Sequence, residues 1–451
     1  MIPLAQPSRT ASLSATLTRL VPVHLGLFVV FTSWAFGGQA PWARPIIGWW
    51  GTVGMILFVL ACRTHPTANG RVHPALRLLW PLWLYDALII GSCFNPGFRE
   101  TMVAGEPSLA LIATKPWLPT AAIPHLAIHE LWQFNGIVLS SFNLLLVLSR
   151  RSQVRQILFL LAGNAVVLAV FGTFQKLVHA KGLWFGLVHS PNERFFSTFI
   201  YHNHWGAFTL LNTAVCLALL LHAYRRGGYR DTWHSPVPLG AVVTLLLAVT
   251  IPLCASRSCT LLAGLLLTAA FVHFLMLVRR SRRERHQSAA GPVTAIGAAA
   301  VLAVAAIGYL ARGTIAERTT QTSLQLAGAT PASPLVGRLT LYRDTWRMAA
   351  AKPWFGWGLE SYAHVFRIFN TQRAVETWVW IPYYAEAHND WLQSLAEVGF
   401  VGTGLLALLL LLPLFTVPWR RLDSSIPRYL SAAACCSCFM HGWNFPSPIP
   451  P

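Results

Sequence analysis

The run Val293-Thr294-Ala295-Ile296-Gly297-Ala298-Ala299-Ala300-Val301-Leu302-Ala303-Val304-Ala305-Ala306-Ile307-Gly308-Tyr309-Leu310-Ala311 carries no charge, and Arg312 then opens a polar segment that lasts to Asn389. Apolar sequence resumes after it. An uncharged run of this kind matches the ~20 residues a helix needs to cross a hydrocarbon core. The polar segment cannot share that environment, because each unsatisfied backbone group in lipid costs several kcal/mol, so it reads as an extramembrane layer between two spans. Arg338 lies in its first half and His388 at its far end.

Composition extends this reading to the whole chain. Hydrophobic residues make up 55% and charged residues 11%, the balance of a polytopic membrane protein rather than a soluble one. Apolar runs near 22–38, 46–62, 76–95, 131–149, 156–175, 205–223, 238–255, 259–278, 293–311, 391–417 and 429–445 predict about eleven spans. The expected fold is therefore all-α, a polytopic transmembrane helix bundle. Helices 1–9 fall within 1–311, a large loop with short surface helices covers 312–390, and C-terminal helices occupy 391–451.

The net charge of +19 does not point to nucleic acid, because Lys and Arg form small clusters between apolar runs instead of one continuous basic face. Those clusters alternate: Arg63, Arg71 and Arg77; Arg150, Arg151 and Arg155; Arg225, Arg226 and Arg230; Arg279 to Arg285; Arg420, Arg421 and Arg428. Cationic loops are retained in the cytoplasm, so the N-terminus is expected there and segments 96–130, 176–204, 256–258 and 312–390 outside. Glu193, Glu317, Asp344, Glu360, Glu376 and Glu386 then all fall on the outer side. Arg9 and Arg19 precede an apolar run as in a signal peptide, but no small-residue cleavage site follows, and the run reads as a retained first helix.

The eight Cys lie in apolar stretches without zinc-type spacing and read as small core residues. Cys435 and Cys438 form a lone C-x-x-C inside an expected span and are given no redox role. Asp86 and Glu397 lie in or near spans, where an ionisable group usually faces the protein interior. For Asp86 a hydrogen-bonded interior carboxyl and a functional one stand level, while Glu397 reads first as a group that orients its helix.

Three outward elements carry chemistry. In Ala255-Ser256-Arg257-Ser258-Cys259 the flanking apolar runs come so close that Arg257 must sit at the membrane boundary in a tight turn. A guanidinium there suits a phosphate group, with lipid-headgroup anchoring as the bland alternative. The second element is Gly337-Arg338-Leu339-Thr340-Leu341-Tyr342-Arg343-Asp344-Thr345-Trp346, followed by Pro353-Trp354-Phe355-Gly356-Trp357-Gly358-Leu359. Leu339, Tyr342, Trp346 and Met348 or Ala349 fall near helical spacing and predict a surface helix that Arg338 opens and Pro353 and Gly356 end. A cation at that position opposes the helix dipole, a mismatch that a nearby anion relieves. Arg343 and Arg347 share a face and read as surface charges. The third element, Glu386-Ala387-His388-Asn389-Asp390-Trp391-Leu392-Gln393, enters Leu395-Ala396-Glu397-Val398-Gly399. An imidazole at the outer end of a span can take a proton from a hydroxyl, and Asn389 or Asp390 can cap the helix.

In these elements the chain resembles the bacterial O-antigen ligase and polymerase family of membrane glycosyltransferases. The likeness rests on the Ser-Arg-Ser turn at Arg257, the Arg338 to Gly358 layout with Trp before Pro-x-x-Gly-x-Gly, and His388-Asn389-Asp390-Trp391-Leu392-Gln393 followed by Glu397-Val398-Gly399. It covers about the last 260 residues; the N-terminal half resembles the family only as membrane helices. The resemblance implies a multi-pass protein of the bacterial inner membrane with a periplasmic active site. There Arg257 and Arg338 bind the diphosphate of a polyprenyl-linked glycan such as an undecaprenyl diphosphate donor, and His388 activates the acceptor. Arg194, in Arg194-Phe195-Phe196-Ser197-Thr198-Phe199-Ile200-Tyr201-His202-Asn203-His204, resembles part of an outward motif of the family and is a further candidate for the same anion. The implied reaction is inverting transfer that needs neither metal nor cofactor. The acceptor is lipid A core, giving a ligase of lipopolysaccharide biosynthesis, or another glycan, giving a polymerase, or a protein hydroxyl, giving an O-oligosaccharyltransferase. A lipid-linked glycan transporter and a non-catalytic assembly scaffold are the readings from other classes. The family's chains usually continue with another span after the segment resembling His441-Gly442-Trp443-Asn444-Phe445-Pro446, whereas this sequence stops at Pro451; the expectation is a missing last helix.

Overall fold

The computed structural model describes residues 9–64, 74–103, 106–115, 117–148, 150–190, 192, 194–226, 234–254, 256–313, 316, 319–320, 323, 334–371, 384–416 and 430. Among them nearly all regular structure is helical: α1 Arg9–Trp34, α2 Ala43–Thr64, α3 Trp80–Ser92, α4 Pro124–Val147, α5 Arg151–Leu177, α6 His202–Arg226, α7 Val237–Leu253, α8 Arg257–Glu284, α9 Ala290–Leu310, α10 Pro334–Ala351, α11 Tyr362–Phe369 and α12 Asp390–Thr416. Seven helices in the described residues, within α1, α2, α5, α6, α8, α9 and α12, are long and apolar enough to cross a membrane. The fold is all-α and polytopic, as the apolar runs predict. The run at 429–445 falls almost wholly outside the described residues. The segment 96–130 contains one antiparallel hairpin that the sequence reading does not anticipate, β1 Phe98–Val103 with β2 Glu106–Leu111, pairing Phe98 with Leu111 and Glu100 with Leu109.

Two compact units interleave along the chain. The first consists of residues 1–25, 44–149 and 325–417. In it α12 packs against α3 and α10, and α2 meets α4 backbone to backbone: a Cβ on Gly51 would lie 2.8 Å from Cα of Gly136. Glycine at such crossings lets helices approach closely where no hydrophobic drive separates them from lipid. Asp86 on α3 accepts a hydrogen bond from Asn135 Nδ2 on α4 at 2.8 Å, so its carboxyl is a partnered interior group. Leu341, Met348, Tyr362, Val365, Phe366, Ala387 and Ala396 form the core under the polar segment.

The second unit consists of residues 26–43, 150–324 and 418–451. Its centre is α6, against which α5, α7 and α8 pack. Leu210, Ala214, Leu217, Ile251, Cys259 and Leu266 fill one side of α6, and Phe196, Phe199, Trp205 and Cys216 the other.

Candidate functional site

In the first unit the site grows from a break in a helix. Gly399 interrupts α12 with φ 66 and ψ −171, a region that side-chain-bearing residues essentially do not enter. The backbone groups freed by this break pair with the segment 353–358. Phe400 and Val401 N–H donate to the carbonyls of Pro353 (2.8 Å) and Trp354 (3.1 Å), while Trp357 and Gly358 N–H donate to those of Ala396 (3.0 Å) and Glu397 (2.7 Å). The Pro-x-x-Gly-x-Gly segment is thus a strap clipped reciprocally onto the break. Its glycines are needed because Gly356 and Gly358 have φ of +66 and +111, and a Cβ on Gly356 would sit 2.6 Å from Val398 N.

Glu397, buried directly beneath the strap, joins this clip to the start of α11. Its carboxylate accepts the N–H groups of Tyr362 (3.1 Å) and Glu360 (3.3 Å) and the amide of Gln393 (3.2 Å). The orienting role read from sequence is the one it fills. At the N-terminus of α12, Asn389 rather than Asp390 is the cap, its Oδ1 accepting Leu392 N–H at 3.1 Å. Immediately before the cap, His388 has φ 57, a left-handed conformation uncommon for a residue other than glycine.

The helix α10 brings Arg338 to His388, though not as the sequence predicts. It begins at Pro334, since proline suits a first helical turn, so Arg338 lies in its second turn and does not open it. The side of α10 that the protein buries is for the most part not the stripe that the sequence reading lays on the membrane surface. Leu341, Asp344, Thr345, Met348 and Ala349 are buried, whereas Leu339 and Trp346 are 61% and 52% exposed. Two polar groups fix that orientation: Asp344 Oδ2 accepts Thr371 N–H (2.8 Å) and Oγ1 (2.7 Å), and Thr345 Oγ1 shares a 2.8 Å hydrogen bond with Tyr362 Oη. Arg343 and Arg347 flank Asp344 at 3.8 Å and 3.6 Å and are otherwise largely exposed, as surface charges should be.

With this face inward, Tyr342 Oη donates to the His388 carbonyl at 3.4 Å, and the Arg338 guanidinium is close enough to act electrostatically on both groups. Burial first, and Arg338 second, hold the His388 imidazole down to about 4, against a smaller opposing pull from Asp390. Burial raises the Tyr342 phenol, with Arg338 opposing. The imidazole is therefore neutral at physiological pH, and a permanent cation stands beside it. Elsewhere in this unit, Lys352 donates to Thr120 Oγ1 at 3.3 Å and lies 4.3 Å from the centre of the Trp357 ring, its ammonium held below the usual lysine range by burial.

In the second unit Arg257 is the exposed first residue of α8, behind Ser256 as N-cap. The cation that opposes a helix dipole is thus Arg257 and not Arg338. The N-terminus of α8 lies beside that of α6: Cys259 Sγ donates to the Asn203 carbonyl at 3.9 Å, and a Cβ on Gly206 would meet Cys259 Cβ at 2.9 Å. Arg194 lies in a turn whose N–H donates to Asn192 Oδ1 at 2.9 Å. Lys176, at the end of α5, stacks its ammonium 4.8 Å from the centre of the neighbouring Phe195 ring. Two helix N-termini with cations around them form an environment suited to a phosphate.

The structure brings Arg338 and His388 together in one unit, and it places Arg257 and Arg194 in the other. Sequence reasoning misses Tyr342, Gln393, Lys352 and Lys176 as contributors. The helical spacing that puts Tyr342 in the stripe of the surface helix, and the four-residue step from Gln393 to Glu397, were the available signals. Residues 242–407 match the Wzy_C family model, described as O-Antigen ligase. No curated protein matches the chain.

Proposed function

We propose that this chain, an O-antigen ligase/polymerase family membrane protein by its match over residues 242–407, transfers a glycan from a polyprenyl diphosphate to an acceptor hydroxyl on the periplasmic face of the inner membrane, as an O-antigen ligase does. The observation that carries this reading is the pairing of a neutral, half-buried imidazole with the permanent cation of Arg338 at the mouth of α12. A hydroxyl oxygen attacks the anomeric carbon and its proton passes to His388. The bond from that carbon to the diphosphate oxygen breaks with its electron pair leaving on the diphosphate, and the configuration inverts.

The leaving group gains negative charge as that bond breaks, so guanidinium groups fixed against it stabilise the transition state more than the ground state. Arg338 serves in this role beside the base, and for Arg257 and Arg194 the proposed role is the phosphate contact that the family resemblance implies. Bound diphosphate also offsets the Arg338 charge that depresses His388, so donor binding strengthens the base when it is needed.

The test is transfer in proteoliposomes with a lipid-linked glycan and lipid A core as acceptor. The expected product is a larger glycoconjugate with release of polyprenyl diphosphate. His388→Ala is expected to lower the rate by about 10²–10⁴-fold, the usual range for a general base, and Arg338→Ala by about 10²–10³-fold, the range for a group that stabilises developing charge, with insertion unchanged. Donor that crosses the bilayer unaltered indicates transport, and normal product from either variant removes the assigned roles.

A further inference from the structure

The left-handed backbone at His388 persists only if its surroundings over-determine it. Among the described residues, three hydrogen bonds that use a side chain reach the segment 387–389. Two are the Asn389 cap and the Tyr342 phenol on the His388 carbonyl. The third comes from within α12: Gln393 Oε1 accepts the N–H of buried Ala387 at 3.0 Å, while its Nε2 donates to Glu397 Oε1 at 3.2 Å. Glu397 is itself held by the N–H groups of Tyr362 and Glu360. A primary amide accepts at one end of this link and donates at the other without titrating.

We infer that Gln393 is a positioning residue for His388: a two-ended relay, Ala387 N–H to Gln393 to Glu397, that transmits the rigidity of the strap at the helix break to the residue before the helix cap. The inference rests on the reading of His388 as the base. A misplacement of about 1 Å in a reacting group can cost on the order of 100-fold in rate. Gln393→Ala therefore lowers kcat by about 30–100-fold with little change in donor KM, since no substrate contact is removed. Gln393→Glu makes a carboxylate pair with Glu397 that holds together only while it shares a proton. Its activity is retained at low pH and lost as pH rises, a profile that wild type does not show. The exchange Gln393→Glu with Glu397→Gln rebuilds the link with donor and acceptor reversed. It gives up the Tyr362 N–H bond, so it recovers activity above either single variant without reaching wild type.

Hydrogen exchange at the Ala387 amide and steady-state transfer are measured on the full chain in nanodiscs. Expected in Gln393→Ala are fast exchange at Ala387, unchanged protection over 402–410, and the fall in kcat. Unchanged Ala387 exchange overturns the relay. Lost protection with wild-type kcat, while His388→Ala is inactive, overturns the positioning role. A failure of exchange rescue in the double exchange variant also counts against the relay. Should His388→Ala transfer normally, the base assignment fails instead, and the Ala387 exchange still decides whether the relay exists.

Discussion

Replacing Gly399 by alanine attacks the point on which the site is built. With φ 66 and ψ −171, an alanine there incurs about 1–3 kcal/mol of backbone strain. Its Cβ would also collide with the Trp354 carbonyl and lie 2.5 Å from Phe355 N, so the strap must move away. The Phe400 and Val401 N–H bonds to the strap are then lost at about 1 kcal/mol each. The sum, about 4 kcal/mol, is a large part of the stability of an ordinary domain. For a unit of this size it corresponds to a fall in Tm of about 8–16 °C. The assay is thermal unfolding in detergent followed by size-exclusion chromatography. Gly404→Ala is the control, because nothing lies within 4 Å of that glycine's Cβ position in the same helix; it should leave Tm unchanged or raise it slightly. Equal melting of the two variants would refute the strap as a structural clip.

The His388 imidazole, held to about 4 by burial and by Arg338 in the donor-free chain, predicts an acid limb of the kcat/KM profile near pH 4, where an unperturbed histidine would place it near 6.5; a kcat/KM limb near 6.5 sinks this expectation. The same depression acts on stability: between pH 6.5 and 4 the unfolded chain binds the proton that the native chain refuses, so the contribution of this group is lost as pH falls through that window. Asn389→Ala removes the α12 cap and should cost about 1 kcal/mol, read as a drop in Tm smaller than that of Gly399→Ala.

Spans were legible because charge-free apolar runs are long and the lipid requirement leaves few alternatives. The face of α10 was not, and the reason is physical. The apolar stripe lays Leu339, Tyr342 and Trp346 on a membrane surface but does not say which side the protein buries, because in a membrane protein the exterior is also apolar. Here the buried side is selected by Asp344 and Thr345, whose hydrogen bonds to Thr371 and Tyr362 come from residues remote in sequence. The hairpin at 98–111 was hidden for a related reason, since its pairing is local to a segment whose apolar content gives no period long enough to register. The candidate chemistry at His388 and Arg338 could be read from residue types and order. Their proximity depends on the turn at which α10 begins, which sequence placed four residues late.

The two motifs most visible in the chain, Pro353 to Gly358 and Glu397 to Gly399, are separate in sequence and a single object in the fold. Each glycine is required by the other segment's backbone: Gly356 by Val398, and Gly399 by Trp354 and Phe355. The strap leaves four backbone groups that α12 must satisfy, and the break in α12 supplies their partners. Neither segment can be exchanged alone without orphaning buried polar groups on its counterpart, at about 1–3 kcal/mol for each group. The break also frees α12 from continuous helix geometry at Gly399, so the turns from Asn389 to Val398 take their direction from the strap and from α10. The imidazole then inherits its position from backbone contacts on both sides of the helix mouth. This is why a histidine in a segment that begins outside the helix can be held in a strained conformation beside a guanidinium from a different helix.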